Sequence, residues 1–160
     1  MMPNSSSSLV IGVGNTYRHD DGVGIWVARR LRKQLSHEAF VLEASGEGGA
    51  LLEAWRGAES VVLVDAIRSG AVPGTIRRFD ATLERIDSIR WCSSHTFGVG
   101  EAIEMARALH ELPPRLTLYG IEGDNFDLGV GLSPSVIRSA IEVTRIVHNE
   151  TLSSVSFLHR

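Results

Sequence analysis

The sequence predicts a three-layer α/β/α fold, a mostly parallel twisted sheet of about five strands with helices on both faces. Two observations carry this. Apolar strand-like runs alternate with amphipathic stretches of helical period, in the order β-α-β-α-β-β-α-β-α. The strongest of those runs are continuously apolar, the pattern of strands covered on both sides.

Leu9–Gly14 (LVIGVG) opens the series as a buried strand ending in glycine. Val23, Val27, Leu31 and Leu35 then recur at four-residue spacing, with Arg29, Arg30, Arg32 and Lys33 between them, so an amphipathic helix follows. Phe40–Ala44 reads as a second strand, and Gly49–Arg56 as a second helix. Ser60–Ile67 (SVVLVDAI) has the β-branched density and length of a central strand. Val72-Pro73-Gly74 marks a turn into Thr75–Phe79, whose adjacent Arg77 and Arg78 place it at or near an edge. Phe97–Leu109 carries Val99, Ile103, Ala106 and Leu109 on one helical face. Pro113-Pro114 stops that helix, Arg115–Ile121 supplies another strand, and Ser133-Pro134 opens the last helix as N-cap and first residue. Residues 9–150 are expected to form one domain, with residues 1–8 a disordered N-terminal tail and 151–160 a frayed C-terminal one.

Composition narrows the function. With 160 residues, 43% of them apolar, the chain can bury a full core without staples. The single cysteine, Cys92, excludes an internal disulfide framework and a Cys-rich zinc cage, and fits a reducing compartment. A net charge of −3 and the absence of a long basic tract make nucleic acid an improbable partner. No signal peptide and no membrane span are apparent. A cytoplasmic monomer is expected.

Gly12-x-Gly14 after the first strand invites a dinucleotide reading, but Tyr17 stands where the third glycine belongs, and Asp20 and Asp21 would repel a phosphate. The same loop presents acids at the carboxyl end of a strand, where open parallel sheets bind ligands. Asp65 ends the third strand in the same way. If strands one and three are neighbours in a 2-1-3 order, Asp21 and Asp65 face one crevice. Alternatively, Asp20 caps the following helix and Asp21 complements its dipole; for Asp20 the capping reading is the stronger. His95 is either a solvated residue of a helix capped by Ser93 or Ser94, or a third donor beside the two acids. Two carboxylates and an imidazole suit a borderline divalent ion with open coordination positions. Cys92 and His95 form a poor nucleophile–base pair, so the thiol reads as buried and inert.

Gly12-Val13-Gly14-Asn15, Asp20-Asp21-Gly22-Val23-Gly24, Val64-Asp65-Ala66, Pro73-Gly74, Ser94-His95 with Gly98, Gly120-Ile121-Glu122 and Leu132-Ser133-Pro134 occur in this order between about Leu9 and Val147. Together they resemble the hydrogenase maturation proteases. The resemblance implies a nickel-dependent, aspartic-type endopeptidase. It would remove the C-terminal extension of a nickel–iron hydrogenase large-subunit precursor after nickel insertion. It also implies that nickel, presented by the substrate, meets Asp21, Asp65 and His95, and that these three residues carry catalysis.

One stretch departs from the family pattern. Typical members carry Asp-Gly-Gly-Thr-x-Gly after the second strand, whereas this chain has Glu43-Ala44-Ser45-Gly46-Glu47-Gly48-Gly49. Gly46, Glu47 and Gly48 are accordingly expected to form a substrate loop that bears on substrate identity. A non-catalytic nickel metallochaperone using the same three ligands is the competing class, and a nucleotide-binding oxidoreductase module a weaker one.

Overall fold

The computed structural model describes residues 8–86, 89–92 and 95–158. Among the described residues, nine strands and α-helices follow the expected order: β1 Ser8–Val13, α1 Val23–Gln34, β2 Ala39–Ala44, α2 Gly48–Trp55, β3 Ser60–Ile67, β4 Ile76–Asp80, α3 Val99–Ala108, β5 Arg115–Glu122 and α4 Pro134–Leu158. The five strands lie in the order β2-β1-β3-β5-β4, parallel except for β4, which pairs antiparallel with β5 at one edge. β1 and β3 are therefore neighbours, and the strand order reverses beside them.

Strand alternation divides the core in two. Leu9, Ile11 and Val13 of β1 and Val61, Leu63 and Ile67 of β3 point to the face covered by α2 and α3, where Leu51, Trp55 and Ile103 are buried. Val10 and the β3 residues Val64 and Ala66 point to the opposite face. There α1 supplies Val27 and Leu31, and α4 supplies Val136, Ala140, Val143 and Val147. Each layer is wholly buried, and burying a Leu or Ile side chain contributes roughly 1.5–3 kcal/mol before its ordering cost.

α1 lies unusually close to the sheet. A Cβ on Gly24 would collide with the carbonyl oxygens of Val13 and Val64, so this position needs glycine for close helix–strand packing. A Cβ on Gly12 would in turn collide with the Gly24 carbonyl oxygen, which accounts for one glycine of the pair that resembled a phosphate loop.

The C-terminal segment differs from expectation. α4 continues through buried Thr151 to Leu158, where a frayed tail was expected from residue 151. The hydroxyls of Thr151, Ser153, Ser154 and Ser156 donate to carbonyl oxygens four residues back, which satisfies them within the helix. Residues 1–7 of the expected N-terminal tail lie outside the described residues.

Candidate active site

The chain leaves β1 at Val13 and turns through Gly14, whose φ of 153° is open to glycine and whose added Cβ would collide with the Asp21 carbonyl oxygen. Asn15 N donates to that oxygen at 3.2 Å, and Asp21 N donates to Arg18 O at 3.1 Å. These bonds fold His19–Gly22 into a 3₁₀ turn directly ahead of α1. Asp21 is thereby held, largely buried, at the carboxyl end of β1.

Asp65 reaches the same place from β3. It occupies the row of Val61, Leu63 and Ile67, so alternation assigns it to an apolar face, and it is 1% exposed. Its Oδ1 accepts from Ala66 N at 2.8 Å, whereas Oδ2 is buried with no hydrogen-bond partner among the described residues. Burial, and then the neighbouring Asp21 carboxylate, hold the Asp65 carboxyl well above the usual range. Burial also raises Asp21, against the opposing effects of a Cys92 hydrogen bond and the charges of Arg18 and His95.

A third segment closes on the end of β3. Arg68 N donates to Arg90 O at 2.9 Å, Trp91 bridges to Ile67, and Cys92 N donates to Ala66 O at 3.1 Å. Cys92 is thus set beside both acids. Burial pushes its thiol far up, the two carboxylates push it further, and the S–H donates to Asp21. A thiol so placed is a hydrogen-bond donor, not a thiolate nucleophile.

Asp21, Cys92 and His95 line one crevice of about 770 Å³ together with Gly14, Arg18 and Arg68; Asp65 lies behind them and does not line it. His95 is exposed at the rim. Among the described residues no three His, Cys, Asp or Glu side chains are gathered tightly enough to hold a metal ion by themselves. The expected trio therefore converges on one strand edge without forming a closed cage.

Two expectations about helix caps change. Asp20 does not cap α1: its carboxylate accepts from Asp124 N, Asn125 N, Ser133 N and the Ser133 hydroxyl at 2.7–2.9 Å, which fastens the β5–α4 loop to the 3₁₀ turn. α3 begins at Val99 with Gly98 as its N-cap, and Glu101 accepts from Gly98 N, so His95 stands ahead of the helix instead of in its first turn. Ser93 and Ser94, read as alternative caps, lie outside the described residues.

The segment Gly46-Glu47-Gly48 reaches the His95 loop from the other side. Glu47 caps α2, accepting from Gly49 N and Ala50 N at 2.8 Å, and these N–H groups draw its carboxyl below the ordinary range. Gly48 N donates to Phe97 O at 2.8 Å, and a Cβ added to Gly48 would collide with the Phe97 ring. The residues sequence reasoning passed over are Arg18 and Arg68, which bring positive charge to the crevice and whose only sequence signal was proximity to the acids. Ser133, read as the N-cap of the last helix, also holds Asp20, a contact for which the sequence carried no signal.

Comparison with known proteins identifies the family. The sequence profile of the family described as HycI, hydrogenase maturation protease, matches residues 25–150. The hydrogenase expression/formation protein HupD of Thiocapsa roseopersicina is 30% identical over 149 residues, covering 89% of this chain and 67% of that protein. The hydrogenase 2 maturation protease of Escherichia coli is 28% identical, covering 84% of this chain and 85% of the other. Among solved structures, the [NiFe] hydrogenase maturation protease HybD from Thermococcus kodakarensis superposes with a TM-score of 0.74 at 26% identity, covering 91% of this chain and 99% of that one. On sequence and fold alike, this chain belongs to the hydrogenase maturation protease family.

Proposed function

We propose that the protein is the endopeptidase that removes the C-terminal extension of a nickel–iron hydrogenase large-subunit precursor once nickel is in place. Asp21, Asp65 and His95 meet the nickel that the substrate carries. The observation that supports this reading best is Asp65: a buried carboxyl with an oxygen unpartnered among the described residues, set behind Asp21 in a strand row otherwise apolar. Stability alone disfavours such a group, which costs about 1–3 kcal/mol when left unsatisfied, and a carboxyl kept ready for a cation or a proton explains it.

The chemistry follows from the two acids. Their carboxyls sit close enough for one to raise the other, so they can hold a proton between them above the usual carboxylate range. An ionised member can take a proton from water while the protonated member supplies one to the scissile amide. His95, at the rim, is placed to receive the metal-bearing end of the precursor. Because the described side chains form no closed cage, substrate donors complete the coordination, and a loaded precursor is preferred to an empty one.

The test is incubation of purified protein with matched nickel-loaded and nickel-free precursor, read by intact mass. Shortening of the loaded precursor alone is the expected result. Equal cleavage of both rejects the metal checkpoint and leaves the peptidase. Binding of the loaded precursor without any cleavage favours the metallochaperone.

A further inference from the structure

Each of the two acids has an arginine three residues away in sequence: Arg18 precedes Asp21, and Arg68 follows Asp65 just beyond the end of β3. Both arginines line the crevice, and both line the adjoining recess that Phe126 borders. The Arg68 guanidinium lies over the Phe126 ring, 5.3 Å from its centre. Arg18 acts electrostatically on Asp21, and Arg68 on Cys92, the thiol that donates to Asp21. Each cation thus acts on one member of the hydrogen-bonded Cys92–Asp21 pair.

Neither guanidinium has an ion-pair or hydrogen-bond partner among the described residues. By contrast, Arg29, Arg32, Arg107 and Arg145 each pair with a glutamate. Asp124 and Asp127 border the recess, yet neither is within ion-pair distance of Arg18 or Arg68. Two exposed, unpaired guanidiniums at the mouth of an acidic site are suited to an anion. A guanidinium binds a carboxylate through two parallel N–H···O bonds.

The peptidase reading, on which this inference rests, supplies such an anion. Water adds to the scissile carbonyl carbon, the C–N bond breaks, and the leaving nitrogen takes a proton. The carbonyl carbon keeps the water oxygen as a carboxylic acid, which gives its proton to solvent at neutral pH. The resulting carboxylate arises beside Asp21 and Asp65, where like charge opposes it. We propose that Arg18 and Arg68 form a carboxylate-binding subsite of the crevice, whose occupant is the new C-terminal carboxylate of the shortened product.

The test titrates the full-length protein, observed by ¹⁵N NMR at the arginine Nε–H and crevice amide signals, with three probes. These are N-acetyl-trialanine as the free acid, the same peptide as its C-terminal amide, and N-acetyl-Ala-Asp-Ala amide, which carries only a side-chain carboxylate. The free acid is expected to bind at least about five-fold more tightly than the plain amide, on the scale of one charge-assisted hydrogen bond. That preference should disappear in the Arg18→Gln/Arg68→Gln variant, whose replaced side chains are exposed and whose melting temperature should match wild type. Equal binding of acid and amide, no saturable binding of either, or a preference that survives the double substitution overturns the subsite. Tighter binding of the aspartyl amide than of the free acid overturns the product carboxylate as occupant. A protein that binds the free acid through both arginines yet shortens no precursor retains the carboxylate subsite and loses the peptidase reading, so the two failures are told apart.

Discussion

Asp20 and Ser133, far apart in the chain, are joined twice: the Ser133 backbone N–H donates to Asp20 Oδ1 and its hydroxyl to Oδ2, both at 2.7 Å. With the N–H groups of Asp124 and Asn125 added, one buried carboxylate orders the loop between β5 and α4 and fixes the turn that carries Asp21. The functional acid is therefore positioned by its neighbour, which is bound away from the crevice.

Asp20→Ala should cost roughly 3 kcal/mol, because it leaves half-buried donors unpaired where charge-assisted bonds had been. Burial alone would raise the Asp20 carboxyl, but the bonds from Ser133, Asn125 and Asp124 outweigh it and hold the group below its ordinary value of 3.8. A depressed acid contributes stability above its unfolded pKa and loses it as pH falls through the folded one. Urea midpoints of wild type and Asp20→Asn should therefore differ most at pH 6–7 and converge below about pH 4. A constant difference across that range would assign the latch to packing instead of charge.

Asp65 should behave with the opposite sign. Burial and Asp21 raise its carboxyl, so the folded state holds the proton more tightly than the unfolded chain. The stability from that proton is fully present below the unfolded pKa and is lost as pH rises through the elevated folded value. Metal-free Asp65→Asn should therefore gain on wild type as pH rises from 5 to 8, by on the order of 1–3 kcal/mol, while losing processing activity. A parallel pH dependence of the two melting temperatures would contradict a raised Asp65.

Much of this arrangement was legible in the sequence because it is local. Apolar runs such as Ser60–Ile67 and the four-residue spacing from Val23 to Leu35 specify their elements directly, and an acid ending a strand announces a crevice. What could not be read is what the fold brings together from afar. Asp20 has the composition of a helix cap, and only the return of the β5–α4 loop gives it better donors. Thr151–Ser156 looks like a polar tail, and only the buried Val147–Thr151 stripe against the sheet makes it helix. His95 shares a crevice with Asp21, but a two-acid, one-imidazole composition says nothing about how tightly the three are drawn.

Cys92 should be slow to react. Burial, the two carboxylates and the hydrogen bond to Asp21 all favour the protonated thiol, which is a poor nucleophile. Alkylation by iodoacetamide at pH 8 should run at least about ten-fold slower than for an unhindered thiol. Asp21→Asn, which removes one charge and leaves a weaker, neutral acceptor, should speed it. Cys92→Ser should retain processing because a hydroxyl can donate to Asp21 in the same way. Loss of processing in a folded Cys92→Ser protein would bring the thiol back into the chemistry.

The junction of the Gly46–Gly48 segment with the His95 loop makes the last prediction. Gly48 N holds Phe97 O at 2.8 Å, and a Cβ at position 48 would run into the Phe97 ring, which packs against the α2–α3 core. Gly48→Ala must therefore displace either α2 or the segment of Phe97, and the second carries His95 two residues away. Overpacking of this kind costs about 1–3 kcal/mol. Processing should fall along with stability. Phe97→Leu alone should cost stability through lost ring contacts and leave His95 near its place, because the Gly48–Phe97 backbone bond remains. The double variant separates strain from chemistry: if contact between position 48 and the ring is what misplaces His95, Phe97→Leu should restore much of the processing lost in Gly48→Ala. The coupling between the two changes in stability should then exceed about 0.5 kcal/mol. Strictly additive losses in a double-mutant cycle would mean that the glycine serves the helix cap alone, and that the segment from 46 to 48 does not position His95.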